Sequence, residues 1–180
     1  MITTALAVVA LLAATLVGLT GAASAATAPS DQSVFSAQAE KAGLTSAQAK
    51  QLQAKVDSYL AKTGGTQVSA NKISFKGGEV LVGAAGQQRP SDLARPAAKS
   101  AADIICYYGE LCLTRGADWM KLYRCGTYTM PWAGDGYFVN NQTTGTVARF
   151  LNSNKTERWS SRAYEQGTAT WTPVYYVVPC

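Results

Sequence analysis

CYYGELCLTRGADWMKLYRCGTYTMPWAGDGYFVNNQTTGTVARFLNSNKTERWSSRAYEQGTATWTPVYYVVPC, residues 106–180, is the stretch whose reading decides the fold. It holds all four cysteines, all four tryptophans and 14 of the 17 aromatic residues. Short apolar and β-branched runs recur in it between turn-forming residues. Ile104–Tyr108 and Leu111–Thr114 flank a Gly109-Glu110 turn. Lys121–Tyr128, a strand opening at Tyr137-Phe138-Val139, Thr146–Leu151, Glu157–Ser160 and Pro173–Pro179 follow. Strands at this spacing, separated by Gly, Asn and Pro, predict an all-β domain built as a Greek-key sandwich over residues 102–180.

The cysteines bear on compartment as well as fold. Four cysteines allow three pairings, and two bridges in a small domain fit an exported protein. The expected pairing is Cys106–Cys112 across the first hairpin and Cys125–Cys180 anchoring the C-terminal strand. Metal-binding thiols are the competing reading, and it is weak, because there is no Cys-x-x-Cys pair and no histidine. Export is also what the other end of the chain predicts. Ala5–Ala14 is uncharged, Gly18 and Gly21 follow, and Ala23-Ser24-Ala25 fits the small-x-small rule of signal peptidase. Residues 1–25 therefore read as a signal peptide, with a retained anchor as the alternative. No other stretch is apolar for long enough to span a membrane.

Residues 26–83 have a different texture. Ser33 to Lys41 reads as a short helix ended by Gly43, and Thr45 opens a second one. Gln48 stands three residues after Thr45, the spacing of a capping box, with Leu44 as the staple residue. Ala49, Leu52, Val56, Tyr59 and Leu60 then form one apolar stripe, stopped at Thr63-Gly64-Gly65. The period changes at Thr66–Ser69 and Lys72–Phe75, and Gly77-Gly78 turns the chain into Glu79–Val82. Two helices and a small hairpin bury a thin core, so this region is expected to pack on something. Residues 84–101, with Gly86, Pro90 and Pro96, read as a linker. What precedes it is either a leader removed at the linker or a permanent accessory module. Residues 26–101 carry nine basic and five acidic groups, a net of +4, against +1 for residues 102–180. Without an arginine cluster this is no nucleic-acid signature; it suits solvated helix faces and weak attraction to anionic wall polymers.

Several motifs carry a family resemblance. Cys106-x5-Cys112-Leu113 followed by Gly116-Ala117-Asp118-Trp119 resembles the opening of a βγ-crystallin-type Greek key. Tyr137-Phe138-Val139-Asn140-Asn141-Gln142-Thr143-Thr144-Gly145-Thr146-Val147 resembles the Asn-rich segment further along such domains. With Trp159 and Trp171-Thr172-Pro173-Val174-Tyr175-Tyr176-Val177-x-Pro179-Cys180, residues 102–180 are similar to secreted actinobacterial proteins grouped with the βγ-crystallin-like metalloproteinase inhibitors. The front region, with Gly43-Leu44-Thr45, Gln48-Ala49 and Tyr59-Leu60-x2-Thr63-Gly64-Gly65-Thr66-Gln67-Val68, resembles the leader that accompanies them. The resemblance implies the crystallin fold and peptidase inhibition.

The chemistry in the residues points away from catalysis. The lack of histidine removes Ser-His-Asp and Cys-His nucleophile systems, and bridged cysteines are not nucleophiles. Asp103, Glu110, Asp118, Asp135, Glu157 and Glu165 are the acidic residues available to a glycosidase-like pair, and a solvated surface is the better reading of them. Asn140, Asn141 and Thr144 resemble part of a crystallin calcium motif, with Gly145 where its last serine would stand. The run offers no carboxylate, so an Asn-stabilised turn is the better reading. Pro131–Gly136 is the most interaction-like loop, with Trp132 and Asp135 as candidate contacts; an inward Trp132 filling the core is the competing reading. The expectation is a secreted, non-enzymatic binding protein, in the first place a peptidase inhibitor. The alternative is a structural or cell-wall and carbohydrate-associated module. Neither nucleic acid nor, after signal cleavage, membrane is expected as a partner.

Overall fold

The computed structural model describes residues 31–95 and 106–180. Residues 1–25, expected to be a signal peptide, the end of the linker and residues 102–105 lie outside the described residues. The front region opens with α1 (Asp31–Lys41) and α2 (Ser46–Thr63). Thr45 caps α2 as its spacing predicts: its hydroxyl accepts from the Gln48 backbone N–H, and the Gln48 side chain accepts from the Thr45 N–H. The helix ends at Gly64, whose φ of 67° suits glycine. Ala49, Leu52, Val56 and Tyr59 are its buried stripe.

Three short strands follow, β1 (Thr66–Ser69), β2 (Lys72–Phe75) and β3 (Gly78–Leu81). Beyond the linker come β4 (Glu110–Arg115), β5 (Asp118–Leu122), β6 (Tyr128–Thr129), β7 (Asp135–Asn141), β8 (Val147–Leu151), β9 (Glu157–Arg162), β10 (Gln166–Thr170) and β11 (Tyr176–Val178). They form two antiparallel sheets, a seven-stranded one in the order β1-β2-β3-β5-β4-β7-β10 and a four-stranded one in the order β6-β11-β8-β9.

The large sheet joins the two sides of the linker. β3 pairs with β5 from Gly78↔Leu122 to Leu81↔Trp119. The front region thus packs on the C-terminal region edge to edge and core to core. Val56, Ile73 and Val80 share one buried cluster with Leu113, Met120, Phe138, Phe150 and Trp171. Asp118, 2% exposed, accepts three hydrogen bonds from the front region: Lys55 Nζ at 2.6 Å, Tyr59 Oη at 2.7 Å and the Gly83 N–H at 2.9 Å. Burial, and then the hydrogen bond to Asp118, raise the Tyr59 pKa well above its ordinary value. Fully buried Asn71 ties the segment after β3 to the hairpin, donating to the Val82 and Ser91 carbonyls and accepting from the Leu93 N–H.

Between the sheets, Phe150 and Trp159 stack at 3.7 Å with Phe138 and Trp171 against them. The Trp171 indole crosses to the large sheet and donates to the Thr114 carbonyl. Gly136 makes room for it: a Cβ there would collide with both the Thr114 oxygen and Trp171 Nε1. Both disulfides form as expected, Cys106–Cys112 and Cys125–Cys180.

The strand map differs from expectation in three places. Cys106–Tyr108 is not a strand; β4 takes β5 and β7 as neighbours instead, and the first disulfide clips a turn onto β4. The strand expected at Lys121–Tyr128 lies earlier, at Asp118–Leu122. All five of its residues are buried, so it shows no alternation. β10 was not anticipated, because Gln-Gly-Thr-Ala-Thr carries no apolar signal. Among the described residues no helix is long and apolar enough to cross a membrane.

Candidate functional site

Strand pleating sends alternate residues of the large sheet away from the core. Pairing aligns these into cross-strand rows. One runs Lys72–Leu81–Trp119–Thr114–Tyr137–Thr168, and its neighbour runs Ser74–Glu79–Lys121–Cys112–Val139–Gln166. Leu81, Cys112 and Trp119, with Cys106 and Val139 against them, form a small apolar cluster separate from the main core. The Cys106–Cys112 bridge therefore lies on the outer face and seals it.

Charged groups surround that cluster. Lys121, 9% exposed, lies 5.1 Å from the Tyr107 ring centroid and 5.3 Å from that of Trp119, with Glu110 Oε2 at 3.8 Å. Cation–π attraction and the nearby carboxylate compensate its burial. Glu110 also accepts from the Tyr107 N–H and so sets that ring in place. Beside Lys121 a cleft of about 280 Å³ is lined by Lys72, Glu79, Asp92, Tyr107 and Trp119 among others. Lys72 Nζ sits 2.8 Å from Glu79 and 3.9 Å from Asp92. Two carboxylates thus face one cleft, but one ammonium lies between them. The arrangement suits recognition of a polar or zwitterionic group better than acid–base chemistry.

The proposed loop contacts separate. Asp135 is exposed, on the outer face two residues from Tyr137, and accepts from the Thr170 hydroxyl at 2.8 Å. Trp132 is 4% exposed and packs against Tyr59 with ring centroids 5.7 Å apart. As a surface contact it is corrected: α2 covers it, and Lys62 donates to the neighbouring Pro131 carbonyl. The calcium candidates do not converge either, since consecutive strand residues face opposite ways. Buried Asn140 donates to the Ser161 carbonyl and accepts from Gln142, which also donates to the Pro179 carbonyl. Asn141 donates to the Cys106 carbonyl, and Thr144 stands exposed in the following turn. These amides fasten β7 to β9, to the first disulfide and to the C-terminal segment. Cys106, Glu110 and Cys112 lie close enough to hold a metal ion, but the two sulfurs are bonded to each other.

Sequence reasoning missed Lys72, Glu79 and Asp92, which lie in the region read as a leader and its linker. Their meeting with Lys121 depends on the β3–β5 pairing, which has no local signature. A second feature emerges only from burial: six of the nine tyrosines, Tyr107, Tyr108, Tyr123, Tyr137, Tyr164 and Tyr175, are exposed.

Fold and surface together define a mostly β protein, braced by two disulfides of the kind typical of extracellular proteins, with an open aromatic and charged sheet face. Comparison with known proteins finds no matching family model, no matching curated protein and no matching solved structure.

Proposed function

We propose that this is a secreted, non-enzymatic binding protein that holds the outer face of its large sheet against a protein partner, with peptidases as the first target class. The observation that carries the reading is the outer face itself, where exposed Tyr107 and Tyr137 stand on a sheet braced by the Cys106–Cys112 bridge. Tyrosine gives large contact area at little conformational entropy cost and is enriched where proteins recognise one another. A face already stiff in the free protein loses little freedom on binding. In this reading residues 1–25 are a cleaved signal peptide, and the C-terminal region is the βγ-crystallin-like Greek key that its motifs resemble in secreted actinobacterial inhibitors. Asp135 belongs to the contact surface, and Trp132 supports it from below.

The second reading, a cell-wall or carbohydrate-associated module, is favoured by the cleft beside Trp119 and Tyr107, where a ring wall meets charged groups of both signs. Titration of the purified protein against a secreted metallopeptidase separates the two. Stoichiometric loss of peptidase activity supports the first reading. No inhibition at high excess, together with retention on wall polymer, supports the second.

A further inference from the structure

A strand at the end of a sheet offers unpaired N–H and C=O groups to any other strand, and native proteins blunt such edges. Among the described residues, three of the four sheet edges are blunted. β1 carries a register shift between Gln67 and Ser69, and the Gln67 side chain bonds back to the Ser69 carbonyl. β6 has two residues. β9 carries Glu157, Arg158 and Arg162 and faces a register shift in β8. β10 has none of these devices: five consecutive pairs to β7 without a shift, and no charge or proline in Gln166–Thr170.

The backbone direction of β10 follows from the hydrogen bonds at its two ends. The Asn140 N–H donates to the Glu165 carbonyl, and the Trp171 N–H donates to the Gly134 carbonyl. In an antiparallel ladder the residues between alternate. Gly167 and Ala169 therefore turn their polar groups to β7, and Gln166, Thr168 and Thr170 turn theirs outward. We infer that this edge pairs with the same edge of a second copy of the chain, antiparallel, about a two-fold axis through Thr168. The segment is its own complement in that arrangement. Thr168 meets Thr168 of the second copy, and Gln166 meets Thr170, each pair exchanging two backbone hydrogen bonds. Gly167 lies opposite Ala169, small against small, on the core-facing side. No like charges oppose one another, and Thr–Thr is a favourable cross-strand pair. The two outer faces would then run on as one surface with the Tyr137 rows adjoining across the axis, a bivalent version of the face described above.

A contact of one strand per chain is small, so the expected association is weak, with Kd on the order of 10 μM to 1 mM. Sedimentation velocity on the full mature protein across that range should show the mass rising from monomer toward dimer. Thr168→Pro removes one outward N–H and leaves the ladder to β7 intact, a position where an edge strand accepts proline. It should stay monomeric at every concentration with an unchanged circular dichroism spectrum. Thr168→Lys, which sets two like charges across the axis, should be monomeric at low salt and recover dimer at high salt. A wild-type protein that remains monomeric throughout overturns the inference, as does a folded Thr168→Pro variant that dimerises like the wild type.

Discussion

Asp118 is the residue on which the two halves of the chain meet, and its environment makes sharp predictions. Its carboxylate is buried and accepts from a lysine, a tyrosine and a backbone N–H. Replacing it with alanine leaves those donors without their acceptor, so Asp118→Ala should lose about 3–5 kcal/mol of stability in denaturant titration. Tyr59 gives the matching pH dependence. Its folded pKa lies above the unfolded value of about 10, because burial and then the Asp118 contact oppose ionisation. Its contribution is therefore complete below pH 10 and is lost as pH rises above that, where the unfolded chain releases the proton first. Tyr59→Phe should lose about 1–2 kcal/mol near neutrality and decline less steeply than wild type above pH 10. Trp132 tests the inward reading of its loop. Trp132→Ala should cost about 3–5 kcal/mol, a core value, whereas loss below about 0.5 kcal/mol would mark a surface side chain.

At the scale of elements, the legible parts were those with local causes. The capping box of α2, the glycine stop behind it and the hairpin of β2 and β3 follow from residues within a few positions of one another, and each appears where its residues place it. The elements that were misplaced lacked the alternation that marks a half-buried strand. β5 is covered on both faces, by the main core on one side and by the Leu81–Cys112–Trp119 cluster on the other. β10 is an edge made of small and polar residues, stabilised by its ladder to β7 rather than by burial of its own side chains. The pairing of β3 with β5 is non-local and cannot be read from either segment alone. The disulfides were legible in position, and their separations make a prediction. Cys125–Cys180 spans 55 residues and Cys106–Cys112 spans 6. By loop-closure entropy the double serine variant of Cys125–Cys180 should lose about 4 kcal/mol and that of Cys106–Cys112 about 2 kcal/mol. Equal losses in thermal unfolding would count against that account.

At the scale of the whole molecule, residues on both sides of the linker share one sheet and one core, and no disulfide joins the two sides, since both bridges lie within residues 106–180. A protease site inserted between Arg95 and Cys106 should therefore yield two fragments that co-elute as one particle in buffer and separate in denaturant without reductant. Immediate separation in buffer would mean that the front region is a removable leader. That shared sheet is also what brings Lys72, Glu79 and Asp92 beside Lys121, Tyr107 and Trp119, so the candidate face is a property of the intact protein. The most direct test of its role is an active-site titration of a secreted metallopeptidase with the intact protein and with a Tyr107→Ala, Tyr137→Ala double variant. The account predicts inhibition that saturates at one equivalent for the wild type and is weakened at least about tenfold in the folded variant. Undiminished peptidase activity at high excess of wild-type protein, or equal inhibition by both, would contradict it.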